Sequence, residues 1–329
     1  MIKSILYPLI FLGLGFLFSK IFGINPLEHT DVLLVIGGLF LAVALFGNVQ
    51  GIDREFLEEN KLNSIISVSL VLLFKAGFLG VLSFLIFHDK NLLLVAALMS
   101  QIDPSFTNWA QRMLGIKGRV AKLSLVESTF DDPVSTLITI YLALPFIASE
   151  GLRVDQYMIF LFFNFIFVVV FIFERRRGKI QNEFLSTTSI VIGGLTNLFL
   201  GVALSGLIFK VKKEIFDEPI NIITYISYFI IGLFLNYSHL NILVGVVLGL
   251  VLVFVVRPLE VLIFFHGFNL REKFILASAE QKGITTILLL LIVQPKVDLV
   301  GIVIPALVVI NILFFINNYS IKFIFRNSK

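Results

Sequence analysis

No cysteine occurs in the 329 residues, which excludes disulfides and thiolate metal sites. Charge is scarce as well. Only 15% of residues are charged against 58% hydrophobic, and the mean hydropathy is +0.99, whereas a soluble domain has an apolar share of roughly 45–50%. A single Trp stands beside 36 Phe, so there is no Trp belt and interfacial anchoring falls to Tyr, Lys and Arg. Long polar stretches are missing too: none between apolar runs exceeds about 15 residues, which leaves no room for a soluble domain. The four His (His29, His88, His239, His266) lie scattered near the ends of apolar runs, without metal-ligand spacing. What remains is a chain whose main solvent is lipid. An all-α polytopic membrane protein is expected, not an enzyme and without a cofactor. The net charge of +4 would suit nucleic acid, but the basic residues sit in short loops between apolar runs, as membrane topology requires, and no nucleic-acid partner is expected.

Apolar runs near the ~20 residues that cross a bilayer fall at about 4–23, 32–49, 63–87, 91–113, 121–148, 156–173, 185–209, 220–236, 239–266, 272–294 and 298–321. The first run lacks a small-residue cleavage site and leads straight into the next, so it reads as a helix rather than a signal peptide. Three basic clusters test the count: Arg112, Lys117, Arg119 and Lys122; Arg175, Arg176, Arg177 and Lys179; and Lys210, Lys212 and Lys213. All three belong in the cytoplasm by the positive-inside rule. The first two agree with each other across two spans, but the third follows the single run 185–209 and would land outside. That run must therefore turn back, at Gly193-Gly194 or at Thr196-Asn197, which gives about twelve helices and places both chain ends in the cytoplasm. Four basic residues then lie outside (Lys20, Lys90, Arg153, Lys296) and three within the membrane (Lys75, Arg257, Lys282).

A charge at mid-helix costs about 2.5–3.5 kcal/mol on insertion scales, so each buried charge is a candidate functional residue. On the fourth run, Ser100-Gln101-Ile102-Asp103-Pro104 sets an acid and a proline amid apolar residues. Pro104 removes a backbone donor and disfavours helix at Asp103, so a break is expected whose freed carbonyls can face a cation. A capped break without ligand function is the plainer alternative. On the fifth run comes Glu127-Ser128-Thr129-Phe130-Asp131-Asp132-Pro133, whose Asp132 lies ten residues, or about 15 Å of helix rise, beyond Lys122. Glu127 and Asp131 share a face at i, i+4, while Asp132 points about 100° away. The plainer alternative makes Asp132 the N-cap and Pro133 the first residue of a helix beginning in a loop. Arg257-Pro258 and Lys282-Gly283 lie deep in later runs; Arg257 calls for an acidic partner, unless it snorkels to the inner surface with Arg271 and Lys273. Lys75 either neutralises an Asp or snorkels, and Glu280 beside Lys282 reads as a local pair and nothing more.

These residues resemble the monovalent cation:proton antiporter superfamily, the sodium/proton exchangers, over nearly the whole chain. The family's Thr-Asp-Pro is similar to Ile102-Asp103-Pro104, and its Glu-Ser-Leu-Phe-Asn-Asp signature to Glu127-Ser128-Thr129-Phe130-Asp131-Asp132. Its helix with an Arg resembles the stretch at Val256-Arg257-Pro258, and its Leu-Arg-Gly resembles Gln281-Lys282-Gly283; a looser likeness lies at Gly47 to Asp53. Departures from the pattern include Ile102 for Thr and Lys282 for Arg. The resemblance implies inverted-topology repeats with two crossing broken helices, and a homodimer. It further implies a core at about 63–148 and 239–325 that moves against scaffold helices at about 1–62 and 155–238. It makes Asp132 the ion- and proton-binding carboxylate, helped by Asp131 and Asp103. Glu127 and Arg257 become a structural ion pair, and Lys282 or Lys75 offsets charge at the crossing. Asp131 occupies a position that is Asn in electroneutral relatives and Asp in electrogenic ones.

The implied activity is exchange of protons for a monovalent cation, with Na⁺ first and Li⁺ or K⁺ as alternatives, in the cell membrane and among its lipids. A sodium-coupled solute symporter of similar inverted-repeat fold is the alternative within transport; a channel fits the buried charges less well. From a different class, an intramembrane aspartyl protease pairs two buried Asp, a role Asp103 and Asp132 would imitate, but its Gly-x-Gly-Asp type motif is missing.

Overall fold

In a computed structural model of the chain, the described residues are 2–50, 54–116, 118–148, 154–177, 181–209, 211–212 and 214–326. Lys117, Arg153, Lys179, Lys210 and Lys213, and the stretch Gly51 to Asp53, lie outside them. The chain begins with α1 (Ile2–Phe22), a short 3₁₀ turn, α2 (Thr30–Val49) and α3 (Arg54–Phe87). The fourth apolar run is split into α4 (Asn91–Leu98) and α5 (Pro104–Leu114). The fifth is one rod of α6 (Arg119–Thr136), a π-helical stretch at Leu137–Ala143 and α7 (Leu144–Ala148). Then come α8 (Val154–Arg177), α9 (Asn182–Thr196), α10 (Phe199–Ile208) and α11 (Glu214–Leu235). α12 (Ile242–Val251) passes through a π-helical turn, Leu252–Val256, into α13 (Arg257–Phe264). Last are α14 (Leu270–Ala277), α15 (Ile284–Val293) and α16 (Val300–Arg326).

Seven apolar helical stretches among the described residues are long enough to cross a bilayer, and Leu6–Phe22, Phe199–Ile208 and Ile284–Val293 are shorter ones. The outward faces are apolar, as on α8, where Phe162, Phe165 and Phe173 are each at least 60% exposed. Such faces suit hydrocarbon, and the chain is a multi-pass membrane protein.

The chain forms two compact units. Unit 1 comprises Met1–Gly51, Thr136–Leu240 and Ile284–Val300. In it α1 lies along α11 at close range, because Gly15 and Gly232 bring the two backbones together: a Cβ on Gly232 would overlap the Leu12 carbonyl. The run 185–209 turns back on itself at Asn197, which adopts a left-handed conformation (φ 58°) and ends α9. Its two legs then pack against each other through a Ser189–Ser205 hydroxyl contact. Tyr141 donates its hydroxyl proton to the Asn197 carbonyl and accepts from the Phe199 amide, holding the tip of this hairpin. Beneath it Phe46, Phe167, Phe171, Val202 and Phe209 form an apolar core.

Unit 2 comprises Ile52–Ser135, Asn241–Gly283 and Gly301–Lys329, and it holds every buried charge singled out in the sequence. Val71, Val120, Val261, Phe265 and Leu276 pack as a small apolar cluster at one side of it. Asp132-Pro133 lies well inside α6, so these residues do not begin a helix. Pro133 withdraws one amide from the helical ladder there. The π-helical turn at Leu252–Val256 ends directly before Arg257-Pro258, where a proline ring would otherwise press on the preceding turn.

Candidate functional site

The site is built on two interruptions of helix. After α4 the chain runs without helix through Gln101, Ile102 and Asp103, and resumes at Pro104, whose missing N–H is lost without cost at a first helical position. Asp103 caps α5: its Oδ1 accepts from the Phe106 amide (3.2 Å) and its carbonyl from the Thr107 amide (3.1 Å). After α14 the chain is again non-helical through Glu280, Gln281, Lys282 and Gly283. The two breaks meet. Gln281 Nε2 donates to the Asp103 carbonyl (2.7 Å) and to Thr107 Oγ1 (2.9 Å), and the Lys282 ammonium donates to the Gln101 carbonyl.

Backbone left unpaired in such a break needs partners inside the protein. Asn311 on α16 supplies two of them, accepting from the Lys282 amide (2.8 Å) and donating to its carbonyl (2.9 Å), while Asn318 donates to the Ser278 carbonyl (3.2 Å). Gly283 stands so close to Asp103 that a Cβ there would fall inside the carboxylate. Gly283→Ala is therefore expected to push the breaks apart and cost about 1–3 kcal/mol as overpacking. Thermal unfolding of the detergent-purified protein would show it, and Asp103→Ala in the same chain should recover part of the loss.

Around the breaks lie the charges. Arg257 is fully buried and donates twice to Glu127, with Nη2 to Oε2 at 3.1 Å; it also donates to Glu260 one turn further on and, through Nε, to the Leu276 carbonyl at 3.1 Å. It does not snorkel. Lys75 is buried as completely, with its ammonium 3.3 Å from Glu280 Oε2, 3.5 Å from Glu260 Oε2 and 3.9 Å from Asp131 Oδ2. It too stays inside. Glu280 is more than the local partner of Lys282: it holds Lys282 with one oxygen and Lys75 with the other, and its Oε2 lies 3.8 Å from Arg257 Nε.

Asp131 and Asp132 sit side by side on α6, both buried. Neither carboxylate oxygen of Asp131 has a hydrogen-bond partner, and Glu260 Oε2 and Gln281 Oε1 are likewise without one. Buried polar oxygens left this way are costly unless a cation or a proton comes to them. Glu127, Asp131, Arg257 and Lys282 are thus gathered into one network with Lys75, Glu260 and Glu280, while Asp103 lies at the crossing of the breaks. Glu260 went unread in the sequence. Its signal was its place three residues after Arg257 within an apolar run, the spacing of an intrahelical ion pair. No resident metal cluster of His, Asp and Glu occurs among the described residues.

No protein family matches the sequence, and no curated protein does. Solved structures do match. The sodium proton antiporter MjNhaP1 from Methanocaldococcus jannaschii, in its structure at pH 8, superposes with a TM-score of 0.63 at 15% identity over 98% of each chain. The fold is that of a sodium proton antiporter. An electron-microscopy map of the same MjNhaP1 gives a TM-score of 0.51 at 16% identity, covering 100% of this chain and 96% of that one. At such identity the likeness concerns the backbone. The antiporter fold therefore leaves open which side chains do the work, and for that the buried network is the guide.

Proposed function

We propose that this chain is a secondary active antiporter exchanging protons for a monovalent cation, Na⁺ first, across the cell membrane. The observation that carries the reading is the pair Asp131-Asp132, buried inside unit 2 of a membrane protein, with both oxygens of Asp131 lacking a hydrogen bond among the described residues. A protein that only needed to be stable would keep apolar residues there. Cation and proton compete for Asp132, helped by Asp131, while Asp103 and the carbonyls at the break add oxygen ligands of the kind a hard monovalent cation takes.

In this reading the architecture has about twelve spans arranged as inverted repeats, with both chain ends in the cytoplasm. The core at about 63–148 and 239–325 moves against the remaining helices to give alternating access, and two copies associate as a homodimer. Transport, not catalysis, is the activity. Lys75, Arg257 and Lys282 hold the network of buried acids together.

The test is proton movement in proteoliposomes carrying a pH-sensitive dye, on addition of Na⁺, Li⁺ or K⁺. Cation-driven proton flux is expected, and its relative size ranks the ions. A well-folded chain that moves no protons with any cation would sink the exchanger and leave the sodium-coupled symporter, with organic anions as the next substrates.

A further inference from the structure

Unit 1 holds a cavity of about 360 Å³, at the small end of ligand pockets, which run roughly 300–1,000 Å³. Its wall is assembled from α2, the π-helical stretch and α7, the first turns of α8, the tip of the α9–α10 hairpin, and the end of α15 with the turn beyond it. Almost all of that wall is apolar. Leu144 and Ile292 are buried in it, whereas Val35, Phe160 and Leu195 are each more than 40% exposed, so the cavity is open to the surface between apolar side chains. The phenol of Tyr141 is already spent on the hairpin tip, donating to the Asn197 carbonyl and accepting from the Phe199 amide. Such a wall offers little to water and suits a hydrocarbon chain.

Lys296 breaks the pattern. Among the described residues it is the one charged member of the wall, exposed in the turn after α15 and in no ion pair. Asp298, two residues on, does not neutralise it: that carboxylate accepts from the Gln294 side-chain amide (2.7 Å) and the His239 backbone amide (3.0 Å). The cavity thus joins an apolar interior to a single unpaired cation, which is the complement of an apolar chain with an anionic head. In the topology proposed above, each segment of the wall lies at the outer end of its span, so such a molecule reaches it from the outer side.

We propose that this cavity is a regulatory binding site for a single-chain anionic amphiphile, of the class of long-chain fatty-acid carboxylates, with the chain inside and the head at Lys296. The small volume suits one chain rather than the paired chains of a phospholipid. The flexible lysine stem meets the head as a point charge, without the fixed geometry an arginine would impose. The consequence for transport rests on the antiporter reading. In that reading Tyr141, Leu144 and Ile292 belong to the moving core, and Val35, Phe160 and Leu195 to the helices it moves against. A chain lodged among them fills the space into which these side chains would shift, so it slows exchange.

The experiment is native mass spectrometry of the detergent-purified full chain with decanesulfonate, whose head stays ionised and so carries no proton across a bilayer. Decyltrimethylammonium and decanol serve as cationic and neutral chains of the same length. One decanesulfonate per chain is expected, bound more tightly than either control. Binding should weaken about five- to tenfold in Lys296→Glu, where an exposed attraction gives way to repulsion, and should vanish in Val35→Trp, which fills the cavity. In proteoliposomes, decanesulfonate should reduce cation-driven proton flux in wild type and leave Val35→Trp unaffected. Should Val35→Trp fail to fold, Lys296→Glu, in an exposed turn, decides alone. Equal binding of all three chains, no binding, or undiminished binding in Lys296→Glu would overturn the site. A two-chain phospholipid retained by wild type and lost in Val35→Trp would overturn the single-chain occupant. Binding as expected with unchanged flux would overturn the regulatory role, and a wild type that moves no protons even without amphiphile would overturn the antiporter while leaving the binding site standing.

Discussion

Asp132→Asn is expected to reduce cation-driven proton flux in proteoliposomes to the leak of protein-free vesicles, while the variant purifies and unfolds much as wild type does. The substitution keeps the shape and removes both the charge and the titratable proton. An amide oxygen still faces the site, but a dehydrated monovalent cation loses its ionic partner, and in a low-dielectric interior that partner is the main source of binding. No proton remains to be displaced. Stability should hold because a neutral amide carries a smaller desolvation cost than a buried carboxylate. Asp131→Asn serves as the comparison. It frees Lys75 from one of its three acids and leaves Glu260 and Glu280 as its partners, so reduced but measurable flux is expected there. Flux at wild-type level in Asp132→Asn would mean that cation and proton meet elsewhere in the chain.

How far this site could be read from the sequence depended on the range of the interaction. The break before Pro104 was legible because a proline acts on its immediate neighbours, and Asp103 before it supplied the cap. The turn within 185–209 was legible from a conflict of loop charges, and it falls at Asn197, a residue that tolerates the left-handed conformation. The partnership of Glu127 with Arg257 entered through resemblance alone, since 130 residues separate them and no local rule joins them. Lys75 was ambiguous for a physical reason: a lysine in mid-span has the reach to snorkel. Only the approach of three carboxylates, two of them about two hundred residues away, decides that it stays buried. Glu260 and the double role of Glu280 belong to the same class. The ion-pair spacing from Arg257 to Glu260 is visible, but the crowding of both acids around Lys75 exists only after α3, α13 and the break after α14 have packed.

That packing makes Arg257 the residue whose loss should do the greatest structural damage. Arg257→Met is expected to destabilise unit 2 by about 3–5 kcal/mol, the range for breaking a buried ion pair by removing one partner. The cost comes from what is left behind. Glu127 loses both of its bonds from Arg257, Glu260 loses the guanidinium donor at Oε1, and the Leu276 carbonyl loses the guanidinium N–H that reaches it. A Met side chain fills much of the volume but donates nothing. Thermal unfolding in detergent should show the fall, along with a lower yield of monodisperse protein. Combining Arg257→Met with Glu127→Gln and Glu260→Gln should recover most of the stability, because neutral amides need no counter-charge and can donate to one another. The combined variant should still not transport normally, since Lys75 then has only Asp131 and Glu280 to hold it. If Arg257→Met alone unfolds at the wild-type temperature, the guanidinium is not what keeps α6 and α13 together, and the stability of unit 2 must come from its apolar contacts.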